Sequence, residues 1–356
     1  MIKHNGVCII AVDHGYGNIK TAETVTPAGI IEYTSEPVFK SNILVYKGKY
    51  YRIGEQQKEF NPTKVLDHDY YLLTLMAIAR ELRAEDIYEA KVHLACGLPL
   101  AWVRSQRDEF REYLMSNPYV EFNYEGDDFA IDIVDCSIFP QGYSAIVKDI
   151  DEYNGVHMVA DIGNGTLNIM YIVDRMPQEE RFWTEKYGVS QCVNAVKSRV
   201  FDEKGVQIDN SIIERVFRFG LYDVEGIGDE YLQIIKDVAT DYVAQIFRTL
   251  RKYEYTPDLI KLHFVGGGAC LVRNFGKYDQ TRVEIIDDIC ATAKGYEYLA
   301  QQLLMHNAAK KRIASRHPAP VQAAPAQPAA APAPVQQAEA PAEPAVVEAP
   351  EQSVEE

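Results

Sequence analysis

HMVADIGNGTLNIMYI, residues 157–172, decides how the rest of the chain is read. His157, Met158, Val159 and Ala160 predict a buried strand that ends on Asp161. A tight turn follows, with Gly163, Asn164 and Gly165, then Thr166, and a second apolar strand runs from Leu167 to Ile172. Glycines in such a turn accept positive φ and let backbone N–H groups approach a ligand with no Cβ in the way. The aspartate is placed where it could hold a metal-bound water. Taken alone, the stretch is either a phosphate-binding hairpin or an ordinary glycine turn.

A second copy of the pattern lies near the N-terminus. Val7–Val12 (VCIIAV) is another apolar run, and it ends in Asp13-His14-Gly15-Tyr16-Gly17-Asn18-Ile19-Lys20. The two aspartates are 148 positions apart. Repetition at that distance indicates two similar halves rather than a short-period solenoid. Two such hairpins facing each other could clasp a phosphate chain and its Mg²⁺ from both sides.

The 356 residues suffice for two domains, and 47% of them are hydrophobic, enough for a sizeable core. No apolar run approaches the ~18–20 residues that cross a bilayer, and the N-terminus has no basic n-region or cleavage site. Six scattered cysteines (Cys8, Cys96, Cys136, Cys192, Cys270, Cys290) form no CxxC pair. They predict reduced core thiols in a cytoplasmic protein, not a disulfide framework or a zinc site. The net charge is −16, of which six glutamates beyond His317 contribute −6. An acidic body argues against direct, counterion-driven binding to nucleic acid.

In chain order, strands are expected at Val7–Val12, Ile19–Thr21, Ile30-Ile31 and Val38–Tyr51, with Tyr51-Arg52-Ile53-Gly54-Glu55 closing a strand-rich section. Tyr71, Leu72, Leu75, Met76, Ala79 and Leu82 keep helical spacing, with Asp67 or Asp69 as cap. Lys91–Cys96 predicts a strand broken by Gly97-Leu98-Pro99, and Ser105–Ser116 a charged helix. Tyr119–Tyr124 and Phe129–Val134 predict a hairpin, and Cys136–Pro140 a connection to Gln141, Gly142 and a helix from Tyr143 to Val147. Beyond the central hairpin, helices are expected at 188–201, 211–217, 229–253 and about 291–305. Strands are expected at Lys261–Val265 and Val283–Ile286. From about Lys311 the composition turns to Ala, Pro, Gln and Glu, with nine of the seventeen prolines, and predicts a disordered tail.

Three strand-to-glycine junctions stand out: Asp13–Lys20, Asp161–Thr166 and Gly266-Gly267-Gly268-Ala269. In the third, bare backbone could let an adenine and its ribose lie close. In this order the three junctions resemble the phosphate-1, phosphate-2 and adenosine motifs of the actin, Hsp70 and sugar-kinase superfamily. Within it, Cys96-Gly97-Leu98-Pro99, Tyr51–Glu55 and Phe139-Pro140-Gln141 look like ParM-type bacterial actins, the plasmid-segregation ATPases. The resemblance spans residues 1 to about 305.

That resemblance implies an α/β fold of two actin-like domains, built on duplicated ribonuclease-H-like mixed sheets flanked by helices. Residues 1–156 would form domain I, with a strand-rich insertion near 30–70, and 157–310 domain II, the last helix packing back on domain I. Residues 311–356 would be the disordered tail. It implies ATP as substrate, with GTP as the alternative, and Mg²⁺ held through water by Asp13 and Asp161. Lys20 would neutralise the β- and γ-phosphates. Backbone around Gly15, Tyr16, Gly17 and Asn18, and around Gly163, Asn164, Gly165 and Thr166, would cradle phosphate oxygens. Gln141 would orient the attacking water, since a neutral amide is no strong base; a helix-capping role is its alternative. Glu214 and Arg215 would approach base or ribose, beside Gly266–Ala269. Two positions depart from the family pattern: Tyr16 stands where a small hydroxyl residue is common, and Asn168 where an Asp is frequent. The implied function is an ATPase forming head-to-tail filaments that hydrolysis loosens. Its cargo would be plasmid DNA, bound through a ParR-type adaptor, with no direct nucleic-acid or membrane contact. The alternatives are a small-molecule kinase, for which no acceptor-site base is evident near Gln141, and a cell-shape filament, which would usually show an exposed amphipathic helix.

Overall fold

Two mixed sheets, each centred on an apolar strand that runs into an aspartate, order the computed structural model, which describes residues 1–55, 67–221 and 224–316. The first half runs β1 (Ile2–His4), β2 (Val7–His14), β3 (Asn18–Lys20), β4 (Val25–Pro27), β5 (Ile30–Tyr33), β6 (Ile43–Tyr46), β7 (Lys49–Ile53), α1 (Asp69–Arg83), β8 (Glu89–Leu98), α2 (Leu100–Leu114), β9 (Tyr119–Tyr124), β10 (Asp127–Pro140) and α3 (Tyr143–Ile146). A 3-10 turn, Val147–Glu152, leads into the second half. That half comprises β11 (Val156–Ile162), β12 (Leu167–Val173), β13 (Met176–Glu185), α4 (Val189–Lys204), α5 (Asn210–Phe219), α6 (Asp229–Lys252), β14 (Lys261–Val265), α7 (Ala269–Phe275), β15 (Val283–Ile285) and α8 (Ala291–Arg316).

The sheets repeat one plan. The first has the order β4-β3-β2-β8-β10, extended by β9-β6-β7-β5, and the second has β13-β12-β11-β14-β15. In each, an antiparallel three-strand meander is followed by two strands parallel to its first: β8 and β10 beside β2, β14 and β15 beside β11. Strands buried on both faces are apolar throughout rather than alternating, which is why VCIIAV reads as an unbroken run. Period two sorts its side chains. Cys8, Ile10 and Val12 enter the core under α1. Ile9 and Ala11 meet Ala293, Tyr296 and Ala300 of α8. In β11, Met158, Ala160 and Ile162 join the α4–α7 core, and Val159 packs on the opposite face with Ile146 and Tyr153.

The structure corrects several expectations. Cys136–Pro140 is no connection but the end of the 14-residue β10, paired in parallel with β8 from Ser137↔Ala95 to Pro140↔Leu98. Helix α2 starts at Leu100, directly after Pro99, not at Ser105. Strand β13 was not foreseen, because its side chains are all part-exposed or exposed and show no alternation. His68 holds the cap position of α1 and makes no side-chain cap bond, while the expected Asp67 serves the helix start from one residue further out, its Oδ1 accepting the Asp69 N–H at 3.0 Å. Helix α8 continues to Arg316, past residue 311 where the tail was expected to begin. The rest of that tail, and the stretch 56–66 of the insertion, lie outside the described residues. The described cysteines are all free, and five of the six are buried.

Candidate functional site

Strands β2 and β11 end at one cleft of about 880 Å³, within the size range of small-molecule sites. A crevice at the carboxyl ends of parallel strands is where α/β sheets bind ligands. All the candidates named from the sequence line it: Asp13, Gly15, Tyr16, Gly17, Asn18 and Lys20 from the first hairpin; Gln141; Asp161, Gly163, Asn164, Gly165 and Thr166 from the second; Glu214 and Arg215 of α5; Gly266, Gly267, Gly268 and Ala269 before and at the start of α7. The two turns touch, since a Cβ on Gly17 would come 2.9 Å from the Asn164 side chain. Gly266 has φ +84°, and a Cβ there would overlap the Asp161 carboxylate, so both conformation and space require glycine.

The hairpin registers place the polar groups. In the first, Asp13 pairs with Lys20, and Lys20 Nζ lies 3.2 Å from Asp13 Oδ2. In the second, Asp161 pairs with Asn168. The chain thus sets a cation opposite one aspartate and an amide opposite its counterpart. Gln141 Nε2 donates to Asp13 Oδ1 at 3.0 Å. Gly142, not Gln141, stands at the cap position of α3, and it makes no side-chain cap bond. Gln141 is therefore turned into the cleft rather than onto the helix end.

Electrostatics follow from this layout. Burial pushes the Asp161 carboxyl up to about 6; Lys20 opposes the shift, Asp13 adds to it, and a hydrogen bond from Asn168 opposes it. Burial disfavours the Lys20 ammonium, but Asp13 and Asp161 outweigh it and raise Lys20 above its ordinary value. Two carboxylates therefore share one lysine in a poorly solvated recess. Their hard oxygen donors suit a hydrated Mg²⁺ ion, which keeps much of its water shell. Among the described residues, no group of three or more His, Cys, Asp or Glu is arranged as a direct metal cage.

Sequence reasoning missed several lining residues. Arg218 and Phe219 lie at the C-terminal end of α5, and Arg273 and Asp287 face the same region. Arg273 Nη1 donates to Asp287 Oδ1 at 2.5 Å and Nη2 donates to the Arg218 carbonyl at 3.0 Å. Helical spacing was the available signal, because Arg218 follows Glu214 and Arg273 follows Ala269 by one turn. Pro99 and Trp102, at the start of α2, also reach the cleft. They were hidden by the late start assigned to that helix.

Residues 11–143 match the family model for the actin-like protein N-terminal domain. No curated protein sequence matches the chain. Among solved structures, the archaeal actin homologue Ta0583 superposes with TM-score 0.67 at 19% identity, over 83% of this chain and 99% of that one. A ParM from a 15-stranded filament of Clostridium botulinum gives 0.66 at 17% identity, over 83% and 99%. The apo pSK41 ParM gives 0.63 at 18% identity, over 85% and 99%. Ta0583 has also been solved in complex with ADP, and that structure superposes with TM-score 0.64 at 20% identity, over 83% of this chain and all of that one. The described chain has the actin-like fold, and its residues 11–143 match an actin-like N-terminal domain.

Proposed function

We propose that this chain is a nucleotide-dependent, filament-forming ATPase of the bacterial actin type. The observation that carries the reading is the pairing of Asp13 and Asp161 at one cleft, with Lys20 and Gln141 both bonded to Asp13. Lys20, charged at neutral pH, binds the β- and γ-phosphates. Backbone N–H groups of the two glycine turns take the remaining phosphate oxygens. Asp13 and Asp161 would hold Mg²⁺ through water; when bound, it neutralises phosphate charge. Gln141 donates one amide N–H to Asp13, which leaves its carbonyl oxygen to accept a hydrogen bond from the attacking water and aim it at the γ-phosphorus. Glu214 and Arg215 flank the base and ribose beside Gly266–Ala269, with ATP as the substrate and GTP as the alternative.

Self-association is head-to-tail, giving an open filament; filaments are the assemblies described for the C. botulinum ParM. Loss of the γ-phosphate contacts loosens the filament. We further propose a cytoplasmic role in plasmid segregation through a ParR-type adaptor, the net charge of −16 disfavouring direct DNA contact. No described helix is long and apolar enough to cross a membrane. A small-molecule kinase is less well supported. The described carboxylates lining the cleft are Asp13, Asp161, Glu214 and Asp287, and none is left beside Gln141 to serve as an acceptor base once the two aspartates hold the metal.

The test is sedimentation and light scattering with Mg·ATP, Mg·GTP, Mg·ADP and no nucleotide. A triphosphate should give sedimentable polymer, and Gln141→Ala should keep polymer while phosphate release slows about 100-fold. Absence of polymer at tens of micromolar, together with phosphoryl transfer to a small acceptor, would overturn the filament reading.

A further inference from the structure

The start of α4 is bonded to the second glycine turn. The Val189 N–H donates to the Gly163 carbonyl at 3.0 Å, and the Ser190 N–H to the Asn164 carbonyl at 2.9 Å. The first N–H groups of a helix have no partner within it, and here two of them are spent on the turn. A peptide unit is planar and trans, so its N–H points away from its C=O. With the Gly163 and Asn164 carbonyls turned onto α4, the N–H groups of Asn164 and Gly165 point away from it. Gly163, Asn164 and Gly165 all line the cleft. Gly188, just ahead of α4, is held at both of its polar groups. Its N–H donates to Gln191 Oε1 at 2.7 Å, and its carbonyl accepts from the Tyr242 hydroxyl of α6 at 2.6 Å. A Cβ on Gly188 would overlap the Asn164 carbonyl and the Thr166 nitrogen, so helix start and turn meet backbone to backbone. Tyr242 is buried, and its ring stacks on Tyr187, centroids 4.5 Å apart and planes 14° from parallel. Burial, then Cys192 and Tyr187, raise the phenol above its ordinary value, so it stays a donor.

We infer that Tyr242 is a positioning residue for the phosphate site. Through the Gly188 carbonyl it fixes the start of α4, which holds the Gly163 and Asn164 carbonyls and so presents the Asn164 and Gly165 N–H groups to the β- and γ-phosphates. Donors fixed before the ligand arrives need no reordering when it binds, and that preorganisation adds to affinity. Without the hydroxyl, the Gly188 carbonyl keeps the longer bond from the Gln191 N–H, at 3.2 Å. The inference takes its ligand from the nucleotide reading above; the chain of bonds from α6 to the turn stands apart from that reading.

Tyr242→Phe removes the hydroxyl and keeps the ring stack on Tyr187. In titrations of the full chain, the Kd for Mg·ATP should rise about three- to tenfold, the worth of one ordinary hydrogen bond. The Kd for adenosine, read by saturation-transfer NMR, should hold. Mg·GTP and guanosine serve as the pair if the cleft prefers guanine. A role confined to folding would move both affinities together or neither. An unchanged triphosphate affinity, or an equal loss for the nucleoside, overturns the inference. If the wild-type chain binds neither Mg·ATP nor Mg·GTP, the nucleotide reading fails separately, and the clamp is read from amide hydrogen exchange of the nucleotide-free chain. The peptide carrying Val189 and Ser190 should exchange faster in Tyr242→Phe, and by a larger factor than a peptide from β11. No change, or an equal change in both peptides, overturns the inference on its own.

Discussion

Asp13 and Asp161 occupy equivalent ends of equivalent strands, yet they differ in what faces them. Lys20 sits across from Asp13 and Asn168 across from Asp161, and Asn168 is itself oriented by Thr184, whose hydroxyl donates to its Oδ1 at 2.8 Å. An amide can hydrogen-bond Asp161 but supplies no charge, so burial keeps the Asp161 carboxyl near 6. The site is asymmetric in charge and relies on one lysine. Lys20→Met should therefore weaken ATP binding about 10- to 100-fold, the worth of a charge-assisted hydrogen bond to phosphate, measured by calorimetry with Mg·ATP. The fold should persist, because β3 keeps its register partners through backbone bonds. An affinity within twofold of wild type would remove Lys20 from the phosphate site. At this scale the sequence was informative where a motif spelled a residue and silent where only distance decides. Gln141 could have capped a helix; only its 3.0 Å bond to Asp13 separates that reading from the cleft.

Elements were legible where burial on both faces writes an unbroken apolar run. Lys261–Val265 is β14 residue for residue, and the two Asp-Gly hairpins fold as expected. They were illegible where pairing, not side-chain pattern, makes the strand. The half-exposed residues of β13 and the end of β10 owe their conformation to neighbours far away in sequence. The paired strands β11 and β14 also bury two histidines that no motif announced. Tyr153 lies 3.1 Å from His263 Nδ1, His263 Nε2 lies 2.8 Å from His157 Nδ1, and His157 Nε2 lies 2.9 Å from the Asn154 carbonyl. With both rings neutral, Tyr153 donates to His263, His263 to His157, and His157 to Asn154, which satisfies every ring nitrogen. Half-exposed Glu284 approaches His263 Nδ1 at 3.0 Å, but a solvated carboxylate is screened. Burial, then His157 and Lys261, hold His263 down to about 3. Burial also lowers His157, which the Asn154 bond opposes. A depressed histidine takes up protons in the unfolded chain first. Its contribution to stability is present above the unfolded value of about 6.5 and is lost as pH falls from there toward 3. Between pH 6.5 and 5, His263 alone should remove about 2 kcal/mol of unfolding free energy. In urea titrations across that range, His263→Gln should flatten the pH slope relative to wild type by about that amount. Parallel slopes would show that His263 titrates normally in the folded protein.

The whole molecule repeats itself more fully than its sequence does. Five strands of one sheet and five of the other share the order antiparallel, antiparallel, parallel, parallel, but the sequence keeps the likeness only at the aspartate turns. Elsewhere each half satisfies the same topology with different apolar residues, as interiors allow when volume and pattern are kept. The repeat matters because the cleft draws lining residues from both sheets, from Asp13 in the first half to Thr292 beyond the second sheet. A ligand that contacts both halves binds only when both are folded and in place, so its binding energy adds to the stability of the whole. At 100 times its Kd, Mg·ATP should add about 2.7 kcal/mol to the unfolding free energy and merge any separate transitions of the two halves into one. Every described lining residue precedes Arg316, so a chain ending there should show the same nucleotide-induced rise in melting temperature as the full chain. A smaller rise in the truncated protein would mean that residues 317–356 contribute to the nucleotide-bound state. A rise of equal size that comes with altered polymer mass would instead place their role in assembly, outside the cleft.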